Sequence, residues 1–247
     1  MMAENPDWRI KDWRGFLAWL DTIDTRLSMF RGVPSSNYQL IPTIGRPGVR
    51  TLGSTYTHPN EIRLMEYFRQ WARPHLQHTG TPETSWEWLA LAQHHGLPTR
   101  LLDWTRSPLI AAYFAVEDLS QEREAAIYRV DVPSVLSPKT IKKLDPFSVP
   151  GVRVYSPSLF SPRIAAQQGL FTIHENPTEP WMPASLSKVI IEVEARDHIK
   201  HRLFHLGIHH ASAFPDLDGV AKMLKWQHQT DGDISFSDID DETLLDT

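Results

Sequence analysis

The chain has no cysteine among its 247 residues. Disulfides, thiolate metal sites and cysteine nucleophiles are therefore excluded, and a reducing compartment is in keeping with that. No apolar run is long enough to span a bilayer, and the opening stretch, MMAENPDWRIKDW, is polar and lacks an apolar signal core. A cytoplasmic protein without membrane association is expected. The motifs G-x-x-x-x-G-K-[ST], G-x-G-x-x-G and G-x-S-x-G are all missing, which argues against a P-loop NTPase, a Rossmann dehydrogenase and an α/β-hydrolase. Excess charge of one sign is confined to one end. The net charge is −5, yet Asp231 to Thr247 holds seven acids and no base, so the remainder carries +2. Such a body has no strong nonspecific electrostatic grip on nucleic acid. The acidic end reads as a flexible, solvated or partner-facing tail over residues 231–247.

What the chain does have is a 41% hydrophobic composition with nine tryptophans, enough for a substantial core. Near-helical spacing of Trp8, Trp13, Phe16, Leu17, Trp19, Leu20 and Ile23 predicts an amphipathic N-terminal helix over Asp7–Thr25. Met29 to Gly32 reads as a short strand, and Val33 to Ser54, rich in proline, glycine and serine, as a loop. Helices are expected over Pro59–Leu76, Pro82–His95, Pro108–Asp118, Arg196–Leu206 and Asp216–Trp226. Strands are expected over Thr99–Leu102, Ala125–Val132, Val152–Tyr155, Gly169–His174 and Lys188–Ala195, with Pro133–Pro162 otherwise broken by prolines. Helices come first, and the later strands and helices do not alternate regularly. An α+β fold with a central mixed or antiparallel sheet packed by helices is therefore expected.

The densest segment is Trp86 to Asp118, WEWLALAQHHGLPTRLLDWTRSPLIAAYFAVED. Two apolar helices frame Gln93, His94, His95, Thr99, Arg100, Asp103, Thr105, Arg106 and Ser107. Polar groups buried between core elements each need a partner, so a ligand site is the economical explanation for so many of them.

Phe30-Arg31-Gly32, followed by Tyr38-Gln39-Leu40 and the loop to Arg46, resembles the (F/Y)RG signature of the FRG domain family. Ala92 to Ala115 is similar to that family's longest motif, and Arg163–Thr172 and Leu206–Lys222 to its later blocks. The resemblance implies one FRG-type domain over residues 1–230, with residues 7–28 as its N-terminal helical element. The order of the blocks is in turn similar to that of ADP-ribosyltransferases. This implies an ADP-ribosyltransferase-like core, NAD as substrate, and an activity that transfers ADP-ribose to a protein or nucleic acid, or cleaves NAD, in a conflict or stress system. By that resemblance Arg31 matches an early NAD-contacting residue, Asp103 to Ser107 followed by Ala111 to Ala115 match a strand-turn-helix element, and Gly169-Leu170-Phe171 matches the edge of a late strand. The chain departs from the pattern at the late-strand glutamate. Arg163, Ala165, Gln167 and Gln168 stand there instead.

The candidate site follows. Arg31 can hold a diphosphate bidentately, with Gly32 admitting a ligand to the backbone, although an arginine tied to Asp103 is the structural alternative. His94 and His95 lie at a helix C-terminus whose dipole favours their protonated form; His95 is the candidate nucleotide contact, with C-capping and packing as the structural alternative, and Thr99 and Arg100 are further candidates. A salt bridge between Arg100 and Asp103 fixing the turn is the stronger reading of that pair. Thr105 and Ser107 place hydroxyls at a helix N-terminus, with a plain N-cap as the default for Ser107. Asp103 is the candidate base within the motif, Gln167 or Gln168 a candidate contact to the nicotinamide ribose, with Gln167 the one carried into the site, and Glu61 the first of the acids (with Glu175, Glu192 and Glu194) that can replace the missing glutamate. His201, His205 and His209 recur every four residues, a zinc-compatible spacing. Gly207 should break that helix and no carboxylate follows at ligand spacing, so no metal is expected. A catalytically silent nucleotide-binding module and a protein-interaction domain are the alternative functions.

Overall fold

The protein is described here by a computed structural model covering residues 8–76, 81–120, 122–132, 134–157 and 162–230. Asp7, Pro133 and the acidic stretch Asp231–Thr247 lie outside the described residues. The strands are β1 (Trp8–Ile10), β2 (Ser28–Val33), β3 (Leu101–Thr105), β4 (Ala125–Asp131), β5 (Val152–Tyr155), β6 (Gly169–His174) and β7 (Ser187–Ile191). The helices are α1 (Trp13–Leu20), α2 (His58–Ala72), α3 (Ser85–His94), α4 (Pro108–Val116), α5 (Pro138–Lys143), α6 (Pro162–Ala166), α7 (Val193–His205), α8 (His210–Ala213) and α9 (Leu217–Thr230). The strands form one seven-stranded sheet in the order β1-β7-β4-β2-β3-β6-β5. Among these strands only β1 and β7 pair in parallel. The fold is thus α+β, with a mixed, largely antiparallel sheet packed by helices.

Strand alternation divides the core. On one face Phe30, Ile127, Val189 and Ile191 pack beneath α1, α4 and α7, while Leu101, Phe171 and Ile173 pack with α2 and α3 residues such as Met65, Trp86 and Leu89. On the other face Met29, Leu102, Trp104, Tyr128 and Leu170 are covered by Leu40, Trp181 and Leu186. Local chemistry sets the helix starts. Thr84 and Glu87 form a reciprocal capping box on α3. Ser107 accepts from the Ile110 amide ahead of Pro108 to open α4.

The sheet has one weak seam. β2 pairs with β4 from Ser28 to Val33, but with β3 only at Phe30 and Thr105. Beyond that position β2 and β3 diverge, and α4 lies over one side of the gap. Gly32 permits that approach, because a Cβ there would stand 1.7 Å from the carbonyl oxygen of Ala111. The glycine therefore makes room for a helix, a packing role besides the ligand access expected of it.

Three expectations are corrected. The N-terminal segment is not helical from the outset: Trp8–Ile10 is an edge strand beside Val189–Ile191, and the helix begins only after the Asp12 N-cap. Sheet pairing outweighed the helical periodicity. The strand at Lys188 ends at Ile191, where its partner β4 begins, and Val193 already belongs to α7. Finally, β3 runs through Asp103-Trp104-Thr105, because β6 supplies partners for each of them.

Candidate functional site

The seam between β2 and β3 opens into a cleft of about 370 Å³ that reaches from α3 to α4. Arg31, Gly32, Asp103, Thr105 and Gln167 are among the residues lining it, together with Gln93, Phe114, Glu117 and Arg163. The volume falls in the range of small-molecule sites.

Arg31 spans the seam. Its Nη1 donates to the backbone carbonyl of Asp103 at 2.7 Å and lies 3.6 Å from Asp103 Oδ2. The guanidinium thus supplies a hydrogen bond where the β2–β3 ladder has stopped. Its side chain is 16% exposed, and burial pushes its pKa down, with Asp103 opposing. It nevertheless stays charged. Asp103 is 56% exposed. Its Oδ2 accepts from Gln93 Nε2 at 2.8 Å, and Gln93 Oε1 accepts from Thr99 Oγ1 at 2.6 Å. A hydrogen-bonded chain therefore runs from Thr99, just ahead of β3, through α3, to the middle of β3. On the far wall burial pushes the Arg163 guanidinium down, opposed by Asp103, Asp216 and Glu117. Arg163 lies over the Phe214 ring, 4.3 Å from its centroid.

Hydroxyl groups expected to meet a ligand are mostly engaged within the fold. Thr105 Oγ1 donates to the Gln167 carbonyl at 2.7 Å and accepts from the Ser107 amide at 3.0 Å. Ser107 Oγ is the α4 cap, at 3.3 Å from the Ile110 amide. Gln167 borders the cleft, but its Nε2 donates to the Ala213 carbonyl at 3.0 Å. Thr99 is buried and serves the Gln93 chain.

Glu61 and Arg100 lie elsewhere, in the interior. Their side chains are each 1% exposed and 2.6 Å apart at the closest pair. Arg100 also donates to Tyr56 Oη at 3.2 Å and contacts His58 Nδ1 at 2.9 Å. The expected Arg100–Asp103 bridge is corrected by this arrangement. Side chains three positions apart along an extended chain face opposite sides, so Arg100 meets Glu61 and Asp103 meets Arg31.

His95 also lies outside the cleft. It caps α3 and, with His94, lines a separate hollow of about 890 Å³ between α2 and α3. His94 is pushed down to about 4 by burial, then by the charge of Arg163. Desolvation there outweighs the helix dipole that was expected to favour protonation. The helix α7 ends at His205, and Gly207 turns the chain at a φ of +77°. His209 then caps α8 by accepting from the Ser212 amide. Among the described residues no three His, Asp or Glu side chains gather as a metal-ligand set, and no helix is long and apolar enough to cross a membrane.

Glu117, on the cleft wall, and His210, behind it, escaped sequence reasoning as site residues. Glu117 follows the last residue of α4 and borders the cleft. Its signal was present: nearly every α4 residue is apolar, so the first acid after it returns to the surface beside the motif. His210 stands 2.9 Å from Glu117 Oε1 through its Nδ1, a contact between segments 93 residues apart that no local pattern announces.

No curated protein and no solved structure matches the chain. Residues 26–124 match the family model of the FRG domain, a span that takes in Phe30-Arg31-Gly32 and the whole of Ala92–Ala115, two segments that line much of the cleft, but not Arg163 and Gln167 on its far side.

Proposed function

We infer that the cleft binds NAD, and that the protein is an ADP-ribosyltransferase-like enzyme that cleaves NAD or passes its ADP-ribose to a macromolecular acceptor. One observation carries this reading. Two guanidiniums from distant parts of the chain, Arg31 and Arg163, border a single hollow together with the half-exposed carboxylate of Asp103. Planar, permanently charged donors suit a diphosphate. A carboxylate between them suits ribose hydroxyls, and the partly buried ring of Phe114 can receive a base. A site of this kind stabilises charge as the bond from ribose to nicotinamide breaks, by electrostatics laid down in advance.

A second reading has its own support. Gln167, near the place where the resemblance implies a late-strand acid, carries an amide that cannot take a proton and is already bonded to Ala213. A module that binds the dinucleotide without cleaving it accords with that residue. Calorimetric titration with NAD, followed by chromatographic measurement of nicotinamide, separates the two. Binding with release supports the enzyme, binding alone supports the module, and no binding removes both.

A further inference from the structure

Glu117 occupies a wall shared by two hollows. One is the cleft; the other, of about 140 Å³, lies among α4, α7, α8 and α9 and includes Tyr113, Lys200, His210 and Trp226 in its lining. The backbone of Glu117 is fixed, because Lys200 Nζ donates to its carbonyl at 2.7 Å. Its side chain is held from behind. His210 Nδ1 lies 2.9 Å from Oε1, and Tyr113 Oη lies 2.8 Å from the same imidazole nitrogen. With 37% of the side chain exposed, the carboxylate still borders the cleft. The other two acids there are differently placed. Asp103 uses Oδ2 to accept from Gln93 and to face Arg31, and its other oxygen is the one offered to ribose hydroxyls. Asp118 Oδ1 accepts from the amide and hydroxyl of Ser120.

We propose that Glu117 is the proton-accepting carboxylate of this cleft, with His210 and Tyr113 as its positioning residues. The proposal rests on the reading that the cleft binds NAD. In the step, the bond from the ribose C1′ to the nicotinamide ring nitrogen breaks and its electron pair returns to the ring, which leaves neutral. A bond forms between C1′ and the oxygen of water or of an acceptor hydroxyl. The proton of that oxygen passes to Glu117, which later releases it to solvent. No oxidant, reductant or metal is needed.

The test is made on the full chain with NAD as the probe, measuring binding by calorimetry and nicotinamide release separately. Glu117→Gln preserves shape and hydrogen bonding but cannot take the proton. It should bind NAD within about twofold of the unaltered protein while kcat falls by at least about a hundredfold, the lower end of what a positioned base supplies. His210→Gln and Tyr113→Phe should lower kcat while leaving KM nearly unchanged, a split that a merely structural role does not give. An unaltered rate in Glu117→Gln overturns the proposal and leaves NAD binding standing. Binding by the unaltered protein without nicotinamide release overturns it as well. Failure of the unaltered protein to bind NAD refutes the underlying reading, and this proposal with it.

Discussion

Arg31 has two tasks in one side chain. Its bond to the Asp103 carbonyl closes the seam between β2 and β3, and its guanidinium borders the cleft. Replacement by alanine should therefore weaken NAD binding and also lower stability by about 1.5–3 kcal/mol, the range for a hydrogen bond to a charged group. Urea unfolding checks the second effect; a stability unchanged within error would mean that the seam holds without it. The buried Arg100–Glu61 pair makes a sharper contrast, since it lies in the interior rather than in the cleft wall. Arg100→Met strands a carboxylate in the core and should cost about 3–5 kcal/mol, much of it recovered when Glu61→Leu is added. If the double variant is no more stable than the single one, the cost comes from lost packing instead of an unpaired charge.

At the level of elements, α4 and β6 carry the most direct consequences. Gly32→Ala places a methyl group against the Ala111 carbonyl, so α4 must shift away from β2. A destabilisation of about 1–3 kcal/mol is expected, as for overpacking generally, together with weaker ligand binding, because α4 forms one side of the cleft. On β6, His174 is buried, with its Nε2 2.9 Å from Thr172 Oγ1, and burial followed by the charges of Arg31 and Arg100 pushes it down to about 4 from an ordinary value of 6.5. The unfolded chain then binds this proton at a higher pH than the folded one. Stability present above pH 6.5 should fall as the pH drops toward 4, by up to about 3 kcal/mol for this residue. Melting temperatures across that range, compared with those of His174→Gln, test this; parallel curves would contradict it.

Element type was legible where one sheet face or one helix cap dominates. Strands β2, β4, β5 and β6, and the cap of α4, were readable from Met29–Gly32, Ala125–Val132, Val152–Tyr155, Gly169–His174 and Ser107. The edge strand at Trp8 was not, because its partner lies some 180 residues away and its spacing mimics a helix. The site was legible in part for the same reason. Arg31, Asp103, Thr105 and Gln167 line the cleft, while His95, Arg100 and Glu61 stand apart from it, since a polar cluster along the chain does not reveal which face each side chain takes.

For the whole molecule, the account depends on one event: a sheet that parts between β2 and β3, with two arginines bordering the opening. The charge balance supports a local site over a broad one, because the net charge without the acidic end is only +2. Titration of the full chain with NAD, in parallel with Arg31→Lys, is the most direct measurement. Lysine keeps the charge but loses the fork that grips a diphosphate. Saturable binding by the unaltered protein, weakened at least about tenfold in Arg31→Lys, is the predicted result. Equal affinity in both, or no heat of binding in either, would contradict the account.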